Sequence, residues 1–483
     1  LGTRLIKGAA VMIAMRWSIR LIGVVNVSIL ARLLTPEDFG VVGMAMVAVA
    51  LFSTMQDIGV DLTVIRHPNP TRALYDSAWT LQALLGLAVG GVIALTAPLF
   101  TGYFGEPRLL PVLYVLALSP VLNGLVNIGV ANFRRDLEFH KDFRFHVVSK
   151  LFGVAVTITL ALVFRNYWAL VLGQVGQAAL LAAMSYLVHP YRPRPSFAAI
   201  REIGGFSFWL FVRALAFFGT NNLHRFIGGR IAAAPVFGAF STSAQVARMI
   251  IAGMTQPVAR AMVPGYARIQ DDRARLLAGF RKVAGMTLSI SLAAGFGMAA
   301  TAEETVHILL GEQWKEAVPL MRLLAIGYGF STAAQPAITF LTAIGRPRRA
   351  AAAQTASLLV LLVALLWAAQ TGDIASVAFA FAASLALISP FMLVGAVLDF
   401  PGAGALLADF GRSLLAVLAM YAAISALPLS LQDGLVFAAL AKIAVGAVVY
   451  GAVLFALWRL SGKPASFEGE VLERLGGAMR KSR

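Results

Sequence analysis

Leu81-Gln-Ala-Leu-Leu-Gly-Leu-Ala-Val-Gly-Gly-Val-Ile-Ala-Leu-Thr-Ala-Pro-Leu99 carries no charged residue. A helix needs roughly 20 mostly apolar residues to cross the hydrocarbon core of a bilayer, and this stretch has that length. The apolar residues run continuously instead of alternating, so the pattern is that of a spanning helix and not of a barrel strand. Ala350 to Ala369 and Leu435 to Leu457 repeat it, the latter interrupted by Lys442. Of the 483 residues, 59% are apolar and 13% charged, too little charge to cover a soluble surface. The mean hydropathy of +0.79 points the same way. An all-α integral membrane fold follows.

Working outward from Leu81, fourteen transmembrane helices are expected, near residues 9–31, 40–62, 78–100, 110–132, 146–164, 168–188, 206–229, 237–263, 283–303, 319–343, 351–369, 374–397, 411–428 and 436–458. The loops between them alternate in charge. One set holds Arg66, Arg72, Arg134, Arg135, Lys141, Arg144, Arg192, Arg194, Arg201, Arg268, Arg273, Arg275, Arg281, Lys282, Arg346, Arg348, Arg349 and the tail from Arg459. The other holds Arg32, Arg108, Arg165, Arg230 and Lys315. Basic residues stay on the cytoplasmic side, so both termini are expected there. The same rule accounts for most of the +17 formal charge without invoking nucleic acid. The first apolar run passes directly into a span, so no removable signal peptide is expected. From Gly462 the tail is expected either as a short interfacial helix, through Phe467, Val471, Leu472 and Leu475, or as a disordered end.

Arg32-Leu-Leu-Thr-Pro-Glu-Asp-Phe-Gly40 joins spans 1 and 2, and Arg230-Ile-Ala-Ala-Ala-Pro-Val-Phe-Gly238 joins spans 7 and 8. Six spans lie between the copies, so both run the same way through the membrane. This predicts two six-helix lobes related by a parallel pseudo-twofold repeat, plus two C-terminal helices. The expected divisions are 1–190 and 191–400 for the lobes, and 401–483 for the added helices and cytoplasmic tail.

Charges inside spans are the candidate functional residues. Arg16 and Arg20 share one face of span 1, Arg213 lies in span 7 and Arg248 in span 8. Each arginine at mid-membrane costs about 2.5–3.5 kcal/mol on insertion scales. Four facing lipid would cost roughly 10–14 kcal/mol, as much as the ~5–15 kcal/mol net stability of a typical domain. They are therefore expected to face protein or water. The alternative for each is pairing with an intramembrane acid or snorkelling to the interface. Lys442, near a span end, reads as snorkelling, and Arg225, Arg230, Arg260, Arg322 and Arg412 as interfacial anchors. Well inside the spans the only acids are Asp57 and Asp61, so the interior is net positive and suits an anion such as a phosphate. Asn26, Asn123, Asn127, Gln174, Gln177, Asn221, Asn222 and His224 could line the same cavity or glue helices together.

Several chemistries are excluded or weak. Without cysteine there is no thiolate metal site and no cysteine nucleophile. No G-x-x-x-x-G-K-[ST] loop and no G-x-S-x-G is present. Only His140 and His146, of six histidines, come near metal-ligand spacing, and weakly. No metal site and no cofactor is expected, and no long outer loop offers room for a catalytic domain. Transport is favoured over catalysis.

Ile29-Leu-Ala-Arg-Leu-Leu-Thr-Pro-Glu-Asp-Phe-Gly40, followed by Asp57-Ile-Gly59, resembles the Wzx-like polysaccharide flippases of the multidrug/oligosaccharidyl-lipid/polysaccharide superfamily. Phe206 to Gly229 and Leu309-Leu-Gly-Glu-Gln-Trp-Lys-Glu-Ala317 are softer marks, and the likeness covers essentially the whole chain. The resemblance implies a flippase of the bacterial inner membrane, not an enzyme. Its substrate would be undecaprenyl-pyrophosphate-linked oligosaccharide, carried to the periplasmic leaflet for O-antigen, capsule or exopolysaccharide synthesis. Implied partners are the bilayer, a polysaccharide polymerase and chain-length or export proteins. On this reading Arg16, Arg20, Arg213 and Arg248 hold the pyrophosphate in a cavity exposed alternately to either side. Asp57 and Asp61 are candidates for coupling to a proton or sodium gradient, with the membrane potential as a further drive. Similar proteins often carry an acid after the Asn where this chain has Asn221-Asn222-Leu-His224-Arg225, which leaves a coupling site there open. The alternatives are a drug exporter or peptidoglycan-precursor flippase of the same superfamily, or a membrane polysaccharide polymerase or ligase.

Overall fold

The computed structural model describes residues 2–54, 56, 60–67, 69–200, 208–268, 272–400, 403–427, 434–464 and 466–469. Among them every long element is helical: α1 (Gly2–Leu33), α2 (Pro36–Ser53), α3 (Val60–Arg66), α4 (Arg72–Phe104), α5 (Leu109–Leu116), α6 (Leu118–Gly124), α7 (Asn132–Arg135), α8 (Phe139–Phe164), α9 (Trp168–Val188), α10 (Phe208–Ile231), α11 (Ala234–Arg268), α12 (Arg273–Ala300), α13 (Ala302–Leu309), α14 (Ala317–Ala333), α15 (Gln335–Ala343), α16 (Pro347–Ala369), α17 (Ile374–Gly395), α18 (Ala405–Ser425) and α19 (Leu435–Leu460). Eleven segments of the described residues are long and apolar enough to cross a membrane, or twelve if the bent pair formed by Leu109–Gly124 and Ile128–Arg135 is one span. Leu95, Leu99, Val163 and Val363 are more than two-thirds exposed on these helices. Such a surface is stable in lipid and not in water.

The chain divides into two compact units, Leu1–Ala214 with Gly228–Ser241, and Leu215–Ile227 with Thr242–Arg483. In the first, the Arg32–Gly40 motif is a helix junction. Thr35 caps α2 by accepting from the Asp38 amide at 3.3 Å, while the Asp38 carboxylate accepts from the Thr35 amide at 2.9 Å. Pro36 opens the helix where its missing N–H is not needed. The second copy of the motif packs against the first. A Cβ at Gly40 would lie 1.8 Å from the Ala234 carbonyl oxygen, and one at Gly238 would lie 1.8 Å from that of Pro36. Residues 36 and 234 are themselves related by the repeat offset, so the contact is reciprocal, as a pseudo-twofold requires. Gly43 and Ser241, also equivalent, meet each other, with 2.7 Å from a Cβ on Gly43 to the Ser241 hydroxyl.

The run at 110–132, expected as one span, is broken at Ala117 and bends by 62° before the 3₁₀ turn Ile128–Ala131. Pro120 and Gly124 explain the break, since proline leaves a carbonyl without its helical partner. Carbonyls of α6 and just past its C-terminal end are met by side chains. Gln56 donates to Pro120 at 3.0 Å, Gln82 to Asn123 at 3.1 Å and the Tyr186 hydroxyl to Leu125 at 2.9 Å. At membrane depth such donors replace water that the lipid cannot supply. Close approach needs small residues: a Cβ at Gly86 would lie 2.5 Å from the Pro120 oxygen, and one at Gly124 2.8 Å from that of Gln82.

The second unit repeats this device between α12 and α14. A Cβ on Gly295 would lie 2.8 Å from the Ala325 oxygen, and one on Gly329 3.1 Å from that of Ser291. Here too the helix is interrupted before a proline, Pro336 of α15. Lys442 of α19, expected to snorkel, instead forms an ion pair with Glu304 of α13, which is 1% exposed. Arg412, expected as an interfacial anchor, is buried with Asp409, which also accepts from Arg281 at 3.1 Å. Of the tail beyond Gly462, Phe467–Gly469 is helical, and Glu468 lies 3.6 Å from the Arg412 guanidinium. Val471, Leu472 and Leu475 fall outside the described residues.

Candidate functional site

In the first unit, α1 carries Arg16 and Arg20 one turn apart, both partly buried. Asn26 lies further along the same helix, its Oδ1 buried with no hydrogen-bond partner. The end of α1 is fixed by a small core in which Leu30 and Leu34 pack on Ala161 of α8 and Ala169 of α9. Asn123 is exposed. Asn127 is fully buried and caps the 3₁₀ turn: its Oδ1 accepts from Gly129 at 2.9 Å, and its amide group donates to the Tyr191 carbonyl at 2.7 Å. Those bonds engage Asn127 in the fold itself. Asp61 pairs with Arg134 at 3.3 Å, and Arg134 also approaches the buried Asp142 at 3.6 Å. Asp57 and the side chain of Arg213 lie outside the described residues.

Sequence reading passed over Lys150. It stands inside the apolar length of α8, and its ammonium donates to the Gln177 amide oxygen of α9 at 3.2 Å. The signal available was one cation in an otherwise uncharged run from Val147 to Phe164. Gln174, one turn earlier on α9, is exposed.

In the second unit, His224 is fully buried in α10, 3.1 Å from the Tyr328 hydroxyl of α14. The Phe381 ring of α17 lies against the imidazole, with centroids 4.1 Å apart. Arg225 and Arg248 are close enough to act electrostatically on this pair. Arg225, read from sequence as an anchor, thus belongs to an internal polar group, whereas Arg248 is exposed on α11. Asn221 and Asn222 fold back on their own helix, donating to Phe217 and Phe218 carbonyls at 2.8 and 3.0 Å. Such i−4 bonds satisfy a polar side chain in an apolar setting. On another face of α10, Thr220 accepts from Gln354 at 3.0 Å beside a small void also lined by Gln335, Ser357 and Ser389. The structure therefore brings Arg16 with Arg20, and His224 with Tyr328, Arg225 and Arg248, each group inside its own unit.

Curated relatives match this chain over about half of its length. The lipopolysaccharide biosynthesis protein WzxC of Escherichia coli is 25% identical over 278 residues, covering 54% of this chain and 54% of that protein. The succinoglycan biosynthesis transport protein ExoT of Rhizobium meliloti is 26% identical over 255 residues, covering 52% and 51%. The chain thus spans about half the length of the curated relatives it matches. Its fold is that of a solved lipid II flippase, MurJ in an inward closed conformation, with a TM-score of 0.70 at 12% identity over 93% of this chain and 99% of that one. An inward-facing MATE family multidrug transporter of the MOP superfamily gives 0.61 at 12% identity, covering 82% and 98%. Residues 29–319 match the family described as polysaccharide biosynthesis protein, and the chain belongs to that family.

Proposed function

We propose that the chain is a flippase that carries undecaprenyl-pyrophosphate-linked oligosaccharide across the bacterial inner membrane, both termini in the cytoplasm. The observation that carries this reading is the placement of arginines within membrane helices of both units: Arg16 and Arg20 on α1, and exposed Arg248 beside the buried His224–Tyr328 pair. Family membership and relatives named for lipopolysaccharide biosynthesis and succinoglycan transport support it. Neither a sugar headgroup nor a pyrophosphate enters hydrocarbon alone. Arginine offers a fixed fork of donors that matches phosphate oxygens. In this proposal Arg16, Arg20, Arg213 and Arg248 hold the pyrophosphate while the polyprenyl tail stays in lipid, and alternating exposure of the site moves the headgroup. An anion leaving an inside-negative cell gains ~2.3 kcal/mol per charge per 100 mV, so the membrane potential drives export. Asp61 remains the described candidate for ion coupling, and polymerase and export proteins act after the flip.

The test is leaflet accessibility of the lipid-linked glycan in spheroplasts. Wild type exposes the glycan outside. Arg20→Ala and Arg248→Ala retain it inside at normal protein levels. Normal flipping by both variants overturns the cationic site.

A further inference from the structure

Lys150 is an intramembrane cation that the fold orients without neutralising. Its ammonium is partly buried, and among the described residues its one hydrogen-bond acceptor is the neutral amide of Gln177 at 3.2 Å. Among the described residues no carboxylate lies within ion-pair distance of it. The arrangement is built into the helix pair. A Cβ at position 153 would lie 2.7 Å from the Gln177 Cγ and 3.0 Å from its Cβ, so Gly153 is what lets that side chain lie across α8. Lysine has three donors, and Gln177 takes one, leaving two N–H bonds and the full charge.

The depth of Lys150 follows from the packing of α1 on α8. Their last turns meet where Leu30 and Leu34 pack on Ala161, so the two helices run in the same direction. Eleven positions back from Ala161 is Lys150, and ten back from Leu30 is Arg20. At 1.5 Å per residue these are about 16.5 and 15 Å. Lys150 and Arg20 therefore stand at the same level of the membrane, on adjacent helices of one unit. A cation held there by an amide lacks its counter-charge, and a phosphate oxyanion is the ligand that supplies it.

We propose that Lys150, steered by Gln177, is a second anion-binding group of the first unit, level with Arg20, and takes the pyrophosphate of a polyprenyl-linked substrate. This rests on the flippase reading above and adds to it a residue pair and a role for each member. Gln177 is a positioning residue: an acid in its place would capture the ammonium and cancel the site.

The experiment is binding of undecaprenyl pyrophosphate, and separately of phosphatidylglycerol, to the purified full chain by native mass spectrometry, followed by leaflet accessibility in cells. Lys150→Met and Gln177→Glu should each weaken undecaprenyl pyrophosphate binding roughly tenfold, the loss of one charge-assisted contact. Lys150→Arg should stay within about threefold, since it keeps the charge. Phosphatidylglycerol binding should not change. Gln177→Glu separates binding from architecture, because a purely structural Lys150 would be tightened, not impaired, by a carboxylate partner. If Arg20→Ala weakens binding while Lys150→Met and Gln177→Glu match wild type, this inference is wrong and the flippase reading survives. Loss of phosphatidylglycerol binding alone also overturns it, marking a general lipid headgroup contact. If wild type binds no undecaprenyl pyrophosphate, both readings fall.

Discussion

Gly40→Ala tests the reciprocal junction contact. The added Cβ would sit 1.8 Å from the Ala234 oxygen and 2.6 Å from its carbonyl carbon. An ordinary contact begins above 3 Å, so α2 and the start of α11 must separate by more than 1 Å, and the obstructing atoms are backbone, which cannot rotate away. Overpacking of this kind costs about 1–3 kcal/mol, and a rigid backbone obstacle lies at the upper end. Alanine recovers about 1 kcal/mol of helix propensity, leaving roughly 2 kcal/mol of net destabilisation. Gly238→Ala, which meets the Pro36 oxygen at the same 1.8 Å, should cost the same. Once one substitution has opened the junction the second finds room, so the double variant should cost clearly less than the two singles combined. Gly91→Ala is the control, because nothing lies within 4 Å of its added Cβ. The assay is thermal unfolding of detergent-purified protein at one fixed scan rate. A Gly40→Ala protein as stable as Gly91→Ala, or strict additivity of the two junction variants, would refute the reciprocal contact.

Three further outcomes are expected. Lys442→Met should destabilise the second unit by about 3–5 kcal/mol by stranding the buried Glu304 carboxylate, and Lys442→Met with Glu304→Gln should recover most of that in the same unfolding assay; equal stability of single and double variants would sink the pairing. Hydrogen bonding to Arg108 holds the Glu106 carboxyl below its ordinary 4.5. Being depressed in the fold, this group contributes stability that is complete above pH 4.5 and lost as pH falls through the folded value. Glu106→Gln should therefore flatten the acid limb of a stability–pH profile while lowering stability near neutrality, and an unchanged acid limb would exclude the link. Arg248→Ala should abolish flipping with little change in unfolding temperature, because the side chain is exposed; a large stability loss would make it structural.

Membrane class was legible in the sequence because lipid imposes a one-dimensional demand: roughly 20 apolar residues in a row, with internal backbone hydrogen bonding. Arg32–Gly40 and Arg230–Gly238 were legible as a repeat because the demands of a helix junction are local: each copy keeps an arginine, a phenylalanine and a glycine for close approach at equivalent positions, while the Thr35 cap and the proline at the first helical position belong to the first copy. Four positions were not legible because they depend on what another helix presents. Lys442 read as a snorkelling lysine until Glu304 of α13 was found opposite it. Arg412 read as an anchor until Asp409 and the tail residue Glu468 enclosed it. Asn127 read either as cavity lining or as helix glue, and only its bonds to Ser185 and Tyr191, distant in sequence, tie it into the fold. Lys150 drew no notice, and only the passage of Gln177 over Gly153 gives its ammonium a direction. Sequence by itself determined that this chain lives in a membrane as a bundle of apolar helices, because length and hydropathy are additive along the chain, and from its charge count it raised the expectation of a cationic interior. Tertiary structure alone decided which cations are neutralised and which stay available, because a charge at membrane depth takes its meaning from the group facing it across a helix interface.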